Sequence, residues 1–281
     1  MEDTQSKSDF RKVAINKVGI KNIQYPIAIT NRRGIRHNTV GTFAMYVNLP
    51  HDQKGTHMSR FIEILNEHKD DLTLLTVERM IESMKEKLDA EQAFLNVSFP
   101  YFLEKEAPVT RSKSFMNYTV RIVGEIVRDS VDTILEIDVP VTTLCPCSKS
   151  ISEYGAHNQR GLVTVRVRFN DHDAKNPMDI DDLIHLVEQT SSCEVFALLK
   201  REDEKYVTEQ AYENPVFVED LVRDIALSLS SEKRITWYSV EVTNFESIHN
   251  HDAYAYIERD KSNSSHAHAF ESANATSVAH S

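Results

Sequence analysis

Five stretches of this chain alternate apolar and polar side chains with a period of two residues. Leu95, Val97 and Phe99 alternate with Asn96 and Ser98, and Leu135, Ile137 and Val139 with Glu136 and Asp138. Tyr118, Val120, Ile122 and Gly124 alternate with Thr119, Arg121 and Val123. Val163, Val165, Val167 and Phe169 alternate with Thr164, Arg166 and Arg168, and Tyr238, Val240 and Val242 with Ser239, Glu241 and Thr243. Residues 42–49 are apolar enough for a further strand. Successive side chains of a strand point to opposite faces, so this pattern demands a sheet with one buried and one wet face, as antiparallel sheets have.

Two helical zones interrupt the strands. In the first, Val77, Met80, Ile81, Met84 and Leu88 share one stripe, after a shorter helix over residues 59–68. In the second, Ile180, Leu183, Ile184 and Val187 form one stripe, and Phe217, Leu221, Ile225 and Leu229 another. Asn214 is the expected N-cap of that last helix, with Pro215 at its first position. The order strands, two helices, strands thus occurs twice, as a repeat of pattern without sequence identity. The expected class is α+β, with paired helices covering one face of an antiparallel sheet. Four segments are expected: a flexible leader (1–10), a unit over 11–130, a second unit over 131–260 carrying most of the polar motifs, and a tail (261–281). The tail is rich in Ser, Ala, Asn and His, has almost nothing to bury, and is expected to be disordered.

Charge and cysteine content narrow the function. Lys plus Arg number 32 and Asp plus Glu 43, a net charge of 32 − 43 = −11. That balance argues against a general nucleic-acid or anionic-membrane binder, since phosphate tracking needs excess cations. No run approaches the roughly 18 apolar residues of a membrane helix, and residues 1–10 hold no apolar signal stretch. Cys145 and Cys147 flank a single proline, too close for ordinary disulfide geometry. A reducing, cytoplasmic setting is therefore expected, with no membrane or nucleic-acid partner.

Three polar constellations stand near predicted element boundaries. Residues 142–160, TTLCPCSKSISEYGAHNQR, form a long connection between two strands and supply two thiols, Ser148, Lys149, Ser150, Glu153, His157 and Arg160. Residues 245–252, FESIHNHD, follow the last predicted strand and hold Glu246, His249 and His251, all competent ligands of a divalent ion. If that strand continues, the two histidines share a face and Glu246 points the other way, unless the chain turns. The third, Lys200-Arg201-Glu202-Asp203-Glu204-Lys205, reads by default as a solvated charge run. Each has a bland explanation alone; their co-occurrence is what suggests a site.

The runs VTTLCPCSKSISEYGAHNQRG, LLKREDEKYVTEQAYENPVFVEDLVRDIA and NFESIHNHDA, with VGIKNIQYP, GTFAMYV and MSRFIE nearer the start, resemble GTP cyclohydrolase IB, over roughly residues 18–257. Glu202 stands where the family is expected to carry proline. The resemblance implies a tunnelling fold, with tandem units assembled into an oligomeric barrel, most simply a homotetramer with sites near subunit interfaces. It implies hydrolytic opening of the guanine imidazole ring of GTP, with release of formate and 7,8-dihydroneopterin triphosphate, at the head of tetrahydrofolate biosynthesis. A divalent metal (manganese, zinc or iron) is implied as cofactor.

On that resemblance Cys145, Glu204, Glu246 and His249 are the expected metal ligands. His157 is the expected general acid/base, because an imidazole titrates near working pH. Cys147 is expected beside the metal, hydrogen-bonding the reacting water or supporting Cys145. Glu219, with Glu213 as the alternative, is expected to accept from guanine N1–H and the exocyclic amine. Ser148, Lys149, Ser150, Arg160, Lys200 and Arg201 are the groups available to the triphosphate, and His251 is a further expected substrate-binding residue. Two other readings stay open: a nitrile reductase of the same fold with Cys147 as nucleophile and a nicotinamide cofactor, and a non-catalytic assembly protein stapled by metal at Cys145, Glu246 and His249.

Overall fold

The computed structural model describes residues 5, 8–31, 34–128, 130–170 and 178–261. The expected leader lies partly outside the described residues, and the expected tail lies outside them beyond Lys261. In chain order the elements are β1 (Ile15–Thr30), β2 (Arg36–Leu49), α1 (Met58–His68), α2 (Leu74–Lys87), β3 (Gln92–Glu106), β4 (Lys113–Val127) and β5 (Ser130–Leu144). They continue with α3 (Pro146–Ile151), β6 (Asn158–Phe169), α4 (Ile180–Thr190), β7 (Cys193–Glu194), α5 (Arg201–Glu213), α6 (Val218–Ser231), β8 (Ile235–Asn244) and β9 (Ala253–Asp260). The strands join one antiparallel sheet in the order β1-β2-β3-β4-β5-β6-β8-β9, with the short β7 pairing β5. Helices interrupt that order between β2 and β3 and again between β6 and β8, so the doubled order of the sequence pattern is the order of the fold.

The period-two pattern becomes two faces. Phe43, Met45, Val47, Leu95, Val97, Val120, Ile122, Ile137, Val139, Val163, Val165, Val240 and Val242 are buried under the helices. From the helix side come Phe61, Ile64 and Leu65 of α1, Val77, Met80, Ile81 and Met84 of α2, Leu183, Ile184 and Val187 of α4, and Leu221, Ile225 and Leu229 of α6. Burying a large aliphatic side chain is worth roughly 1.5–3 kcal/mol, so these two layers dominate the stability. At Gly124 the contact is closest: an added Cβ would lie 2.4 Å from Ile81 Cδ1 and 3.1 Å from Val77 Cγ1. The opposite face carries an ordered charge lattice. Arg121 pairs with Glu136 and, at 2.6 Å, with Asp138; Arg166 pairs with Glu136 at 2.5 Å; Arg168 pairs with Asp132 at 2.8 Å.

Several boundaries differ from those expected. Phe217, not Asn214, is the N-cap of α6. Asn214 instead closes α5, its N–H donating to Gln210 O at 3.0 Å and its side chain to Ser191 O at 2.9 Å. The charge run over residues 200–205 opens a helix, α5, which buries only Asp203 and Ala211 and so shows no apolar stripe. β1 and β9 were not expected as strands. β1 changes register between Ile20 and Ile23, with Asn22 at φ 59°, which breaks its alternation. β9 is an edge strand with Tyr254 and Tyr256 exposed.

Candidate active site

Two of the polar motifs collect at one end of the inner strands because three strands reach it together. β5 ends at Leu144, paired with Asn158 at the start of β6, and Gly161 of β6 pairs with Asn244 at the end of β8. The chain leaving β5, the chain entering β6 and the chain leaving β8 therefore emerge side by side. Gly161 makes this possible: an added Cβ would lie 2.6 Å from Asn244 Oδ1. The segment between α5 and α6 is tied to the same strand ends by Val216 N–H, which donates to Leu144 O at 3.1 Å.

After Leu144 the Cys-Pro-Cys run folds into α3 rather than an open loop. Pro146 occupies the first helical position, where a missing N–H costs nothing. Cys145 is the N-cap, its Sγ accepting from Ser148 N–H at 3.4 Å. Ser148 Oγ donates to Cys145 O at 3.1 Å and accepts from His157 N–H at 3.2 Å, while Cys145 N–H donates to His157 O at 3.1 Å. Cys145 and His157 are thus locked together through the backbone. Cys147 is exposed, and Ser150 Oγ donates to its carbonyl at 2.8 Å.

His157 is half-buried, with three side-chain oxygens around Nδ1. Gln159 Oε1 is at 3.0 Å, Ser247 Oγ at 3.4 Å and Glu246 Oε2 at 4.0 Å. Phe245 N–H donates to Arg160 O at 3.0 Å, holding the 245–247 segment against β6. Lys149 donates to Tyr212 O and lies 4.4 Å over the Tyr212 ring, joining α3 to the last turn of α5. Its ammonium is thus engaged within the chain. Glu219 is exposed in the first turn of α6, two residues past Phe217, and Glu213 is exposed at the last residue of α5.

Other expected residues are not gathered here. β8 stops at Asn244 and the chain turns; His249 and His251 are exposed with their rings stacked, centroids 5.0 Å apart. Glu204, Lys200 and Arg201 stand at the far end of α5. At a rise of 1.5 Å per residue, Glu204 lies about 12 Å along the helix axis from Tyr212. That end is anchored elsewhere, since buried Asp203 accepts from Val109 N, Thr110 N, Thr110 Oγ1 and Lys200 N at 2.7–3.0 Å. Among the described residues, no group of three or more His, Cys, Asp or Glu is arranged to hold a metal ion within one chain. The donor types fit a divalent ion, and Cys145 and Glu246 both flank His157, but one chain does not complete a set. The third cysteine, Cys193, is buried on β7, which pushes its thiol up to about 11. Sequence reasoning missed Gln159, Thr143 and Tyr212; the two-residue spacing of His157 and Gln159 was the available sign of a shared face.

The family model described as type I GTP cyclohydrolase folE2 matches residues 1–255. A protein of Nitrosococcus oceani named GTP cyclohydrolase FolE2 is 52% identical over 261 residues, covering 93% of this chain and 96% of its own. One of Dechloromonas aromatica, named GTP cyclohydrolase FolE2 2, is 53% identical over 262 residues, covering 93% and 95%. Among solved structures, uricase from Arthrobacter globiformis superposes with a TM-score of 0.53 at 10% identity, covering 90% of this chain and 96% of that one. At that identity the likeness is one of fold, and the fold is the tunnelling fold.

Proposed function

This chain belongs to the type I GTP cyclohydrolase folE2 family, and from that premise we propose how its residues divide the work. It is a GTP cyclohydrolase I: it opens the five-membered ring of the guanine of GTP by hydrolysis, releasing formate and 7,8-dihydroneopterin triphosphate. The family does not favour the nitrile-reductase reading or the non-catalytic one.

The observation that carries the division of labour is the meeting of His157, the Cys145 turn and Glu246 at the ends of β5, β6 and β8. His157 is the general acid/base, protonating guanine N7 as water attacks carbon 8 and moving protons during ring opening. Its half-buried position beside a carboxylate suits a group that must carry charge transiently. Glu219, or Glu213 in its place, accepts from the guanine N1–H and amine. Ser148, Ser150, Arg160, Lys200, Arg201 and His251, with Lys149 where it can leave Tyr212, serve the triphosphate. Cys147 supports Cys145 or the reacting water.

Manganese, zinc or iron held by Cys145, Glu204, Glu246 and His249 would supply a bound water whose pKa falls towards about 7. One thiolate among oxygen and nitrogen donors suits ions harder than those an all-thiolate cage selects. Cys145 and Glu246 flank His157 within one chain, and in this proposal the rest of the set comes from a second subunit of a homotetramer. No helix of the described residues is long and apolar enough to cross a membrane; a cytoplasmic setting is part of this proposal.

The test is His157→Ala with formate release and metal content measured together. Turnover falls by about 10²–10⁴-fold while metal and GTP still bind. Unimpaired turnover removes His157 from the mechanism.

A further inference from the structure

Gln159 and Thr143 face each other across β5 and β6, and both are buried, Thr143 completely. Gln159 Nε2 donates to Thr143 Oγ1 at 2.8 Å, which turns Oε1 to His157 Nδ1 at 3.0 Å. A carbonyl oxygen only accepts, so the ring nitrogen facing it must carry the proton. Reversing the amide would satisfy Thr143 equally well, its hydroxyl then donating, and would turn Nε2–H to an Nδ1 lone pair. Glu246 Oε2, 4.0 Å from Nδ1, decides between the two: its negative charge attracts an Nδ1–H and repels a lone pair, while Ser247 Oγ at 3.4 Å accepts from Nδ1–H as readily as it would donate.

We infer that Gln159, held by Thr143, is a positioning residue that fixes His157 as its Nδ1–H tautomer and leaves Nε2 as the working nitrogen. A neutral imidazole offers a donor at one nitrogen and a lone pair at the other, and the hydrogen bond made by one decides what the other presents. This deepens the proposed function and rests on His157 being the acid/base there. The signal is a buried strand-to-strand pair, and nothing in it requires GTP to be bound.

Full-length protein labelled with ¹⁵N in its histidine rings is examined without GTP at about pH 8.5, two units above the ordinary imidazole pKa of about 6.5. His157 is assigned by the signal lost in His157→Asn. Long-range ¹⁵N–¹H correlations show the Nδ1–H pattern in the native protein and its loss in Gln159→Leu. In that variant kcat for formate release falls about 10–100-fold while KM for GTP stays within about twofold. Gln159→Glu, which keeps an acceptor, retains the Nδ1–H pattern and most of kcat. An Nε2–H ring in the native protein overturns the inference, as does an unchanged pattern with unchanged kcat in Gln159→Leu. Should the leucine variant fail to fold, the native spectrum and the glutamate variant still decide it. Native turnover in His157→Ala would remove the proposed acid/base role and leave the tautomer result standing.

Discussion

Cys145 holds two structural positions at once, as the last residue before a helix and as the backbone partner of His157. Removing its sulfur therefore separates ligand from scaffold. Cys145→Ala keeps the backbone hydrogen bond from residue 145 N–H to His157 O, and it is expected to lose metal and formate release while staying folded; full activity with normal metal content would sink the ligand assignment. The cysteines are also expected to differ in reactivity: exposed Cys147 is expected to react with a neutral-pH thiol reagent in the native state, whereas Cys193, buried and pushed up to about 11, is expected to react only on unfolding. Counting modified thiols before and after denaturation checks this. Glu219→Ala is expected to raise KM for GTP and weaken its preference over ATP, and unchanged base selectivity would move that role to Glu213.

At the scale of elements, two buried carboxylates tie the second group of helices to the sheet. Lys105 of β3 reaches Glu188 of α4 at 2.7 Å, Glu194 of β7 at 2.7 Å and Val195 O at 3.1 Å, and Tyr118 also donates to Glu188. Lys105→Ala leaves buried Glu188 with only Tyr118 and the more distant His185 beside it and is expected to cost about 3–5 kcal/mol in denaturant unfolding; a loss below 1 kcal/mol would contradict the clamp. Asp203 does the same for α5. Burial raises its pKa, but the Thr110, Lys200 and Val109 N–H groups and the Thr110 hydroxyl outweigh this and hold it below the ordinary carboxylate range. Asp203→Asn is expected to loosen α5, read as faster amide exchange across residues 201–213. These ties were not legible in the sequence, because each joins residues tens of positions apart and neither adds periodicity. The strands β2 to β6 and β8 and the stripes of α1, α2, α4 and α6 were legible, since each buries one face and pattern reports burial; β1, with its register change, and the exposed edge strand β9 were not. α5 was not, for it is held by its caps and the Asp203 anchor rather than by an apolar stripe. In the candidate site the residue types were readable, while the nearness of His157 to Glu246, 89 positions on, belongs to strand register.

For the whole molecule, the lowered carboxylates set the response to acid. Burial raises Glu188, but His185, 3.7 Å away, together with the charge and hydrogen bond of Lys105, brings it below its ordinary value; Asp203 is lowered too. A carboxylate lowered in the folded state contributes stability that is fully present above its unfolded value of about 4. That contribution is lost as pH falls through the folded value. Stability is therefore expected to drop steeply below about pH 4, and Asp203→Asn to flatten that drop in urea midpoints measured from pH 2 to 7. β1 and β9 form the two edges of the sheet, and edge strands pair readily with other chains, which supports the proposed homotetramer. Sedimentation equilibrium checks this; a monomer that turns over GTP would refute completion of the metal set between subunits. The central proposal is that Cys145, Glu246 and donors from distant segments hold one divalent ion on which ring opening depends. The most direct measurement is to strip the folded protein with a chelator, titrate manganese back, and follow formate release from GTP. Turnover should vanish on stripping and return in proportion to added ion until the sites are filled; undiminished formate release from metal-free protein would contradict the account.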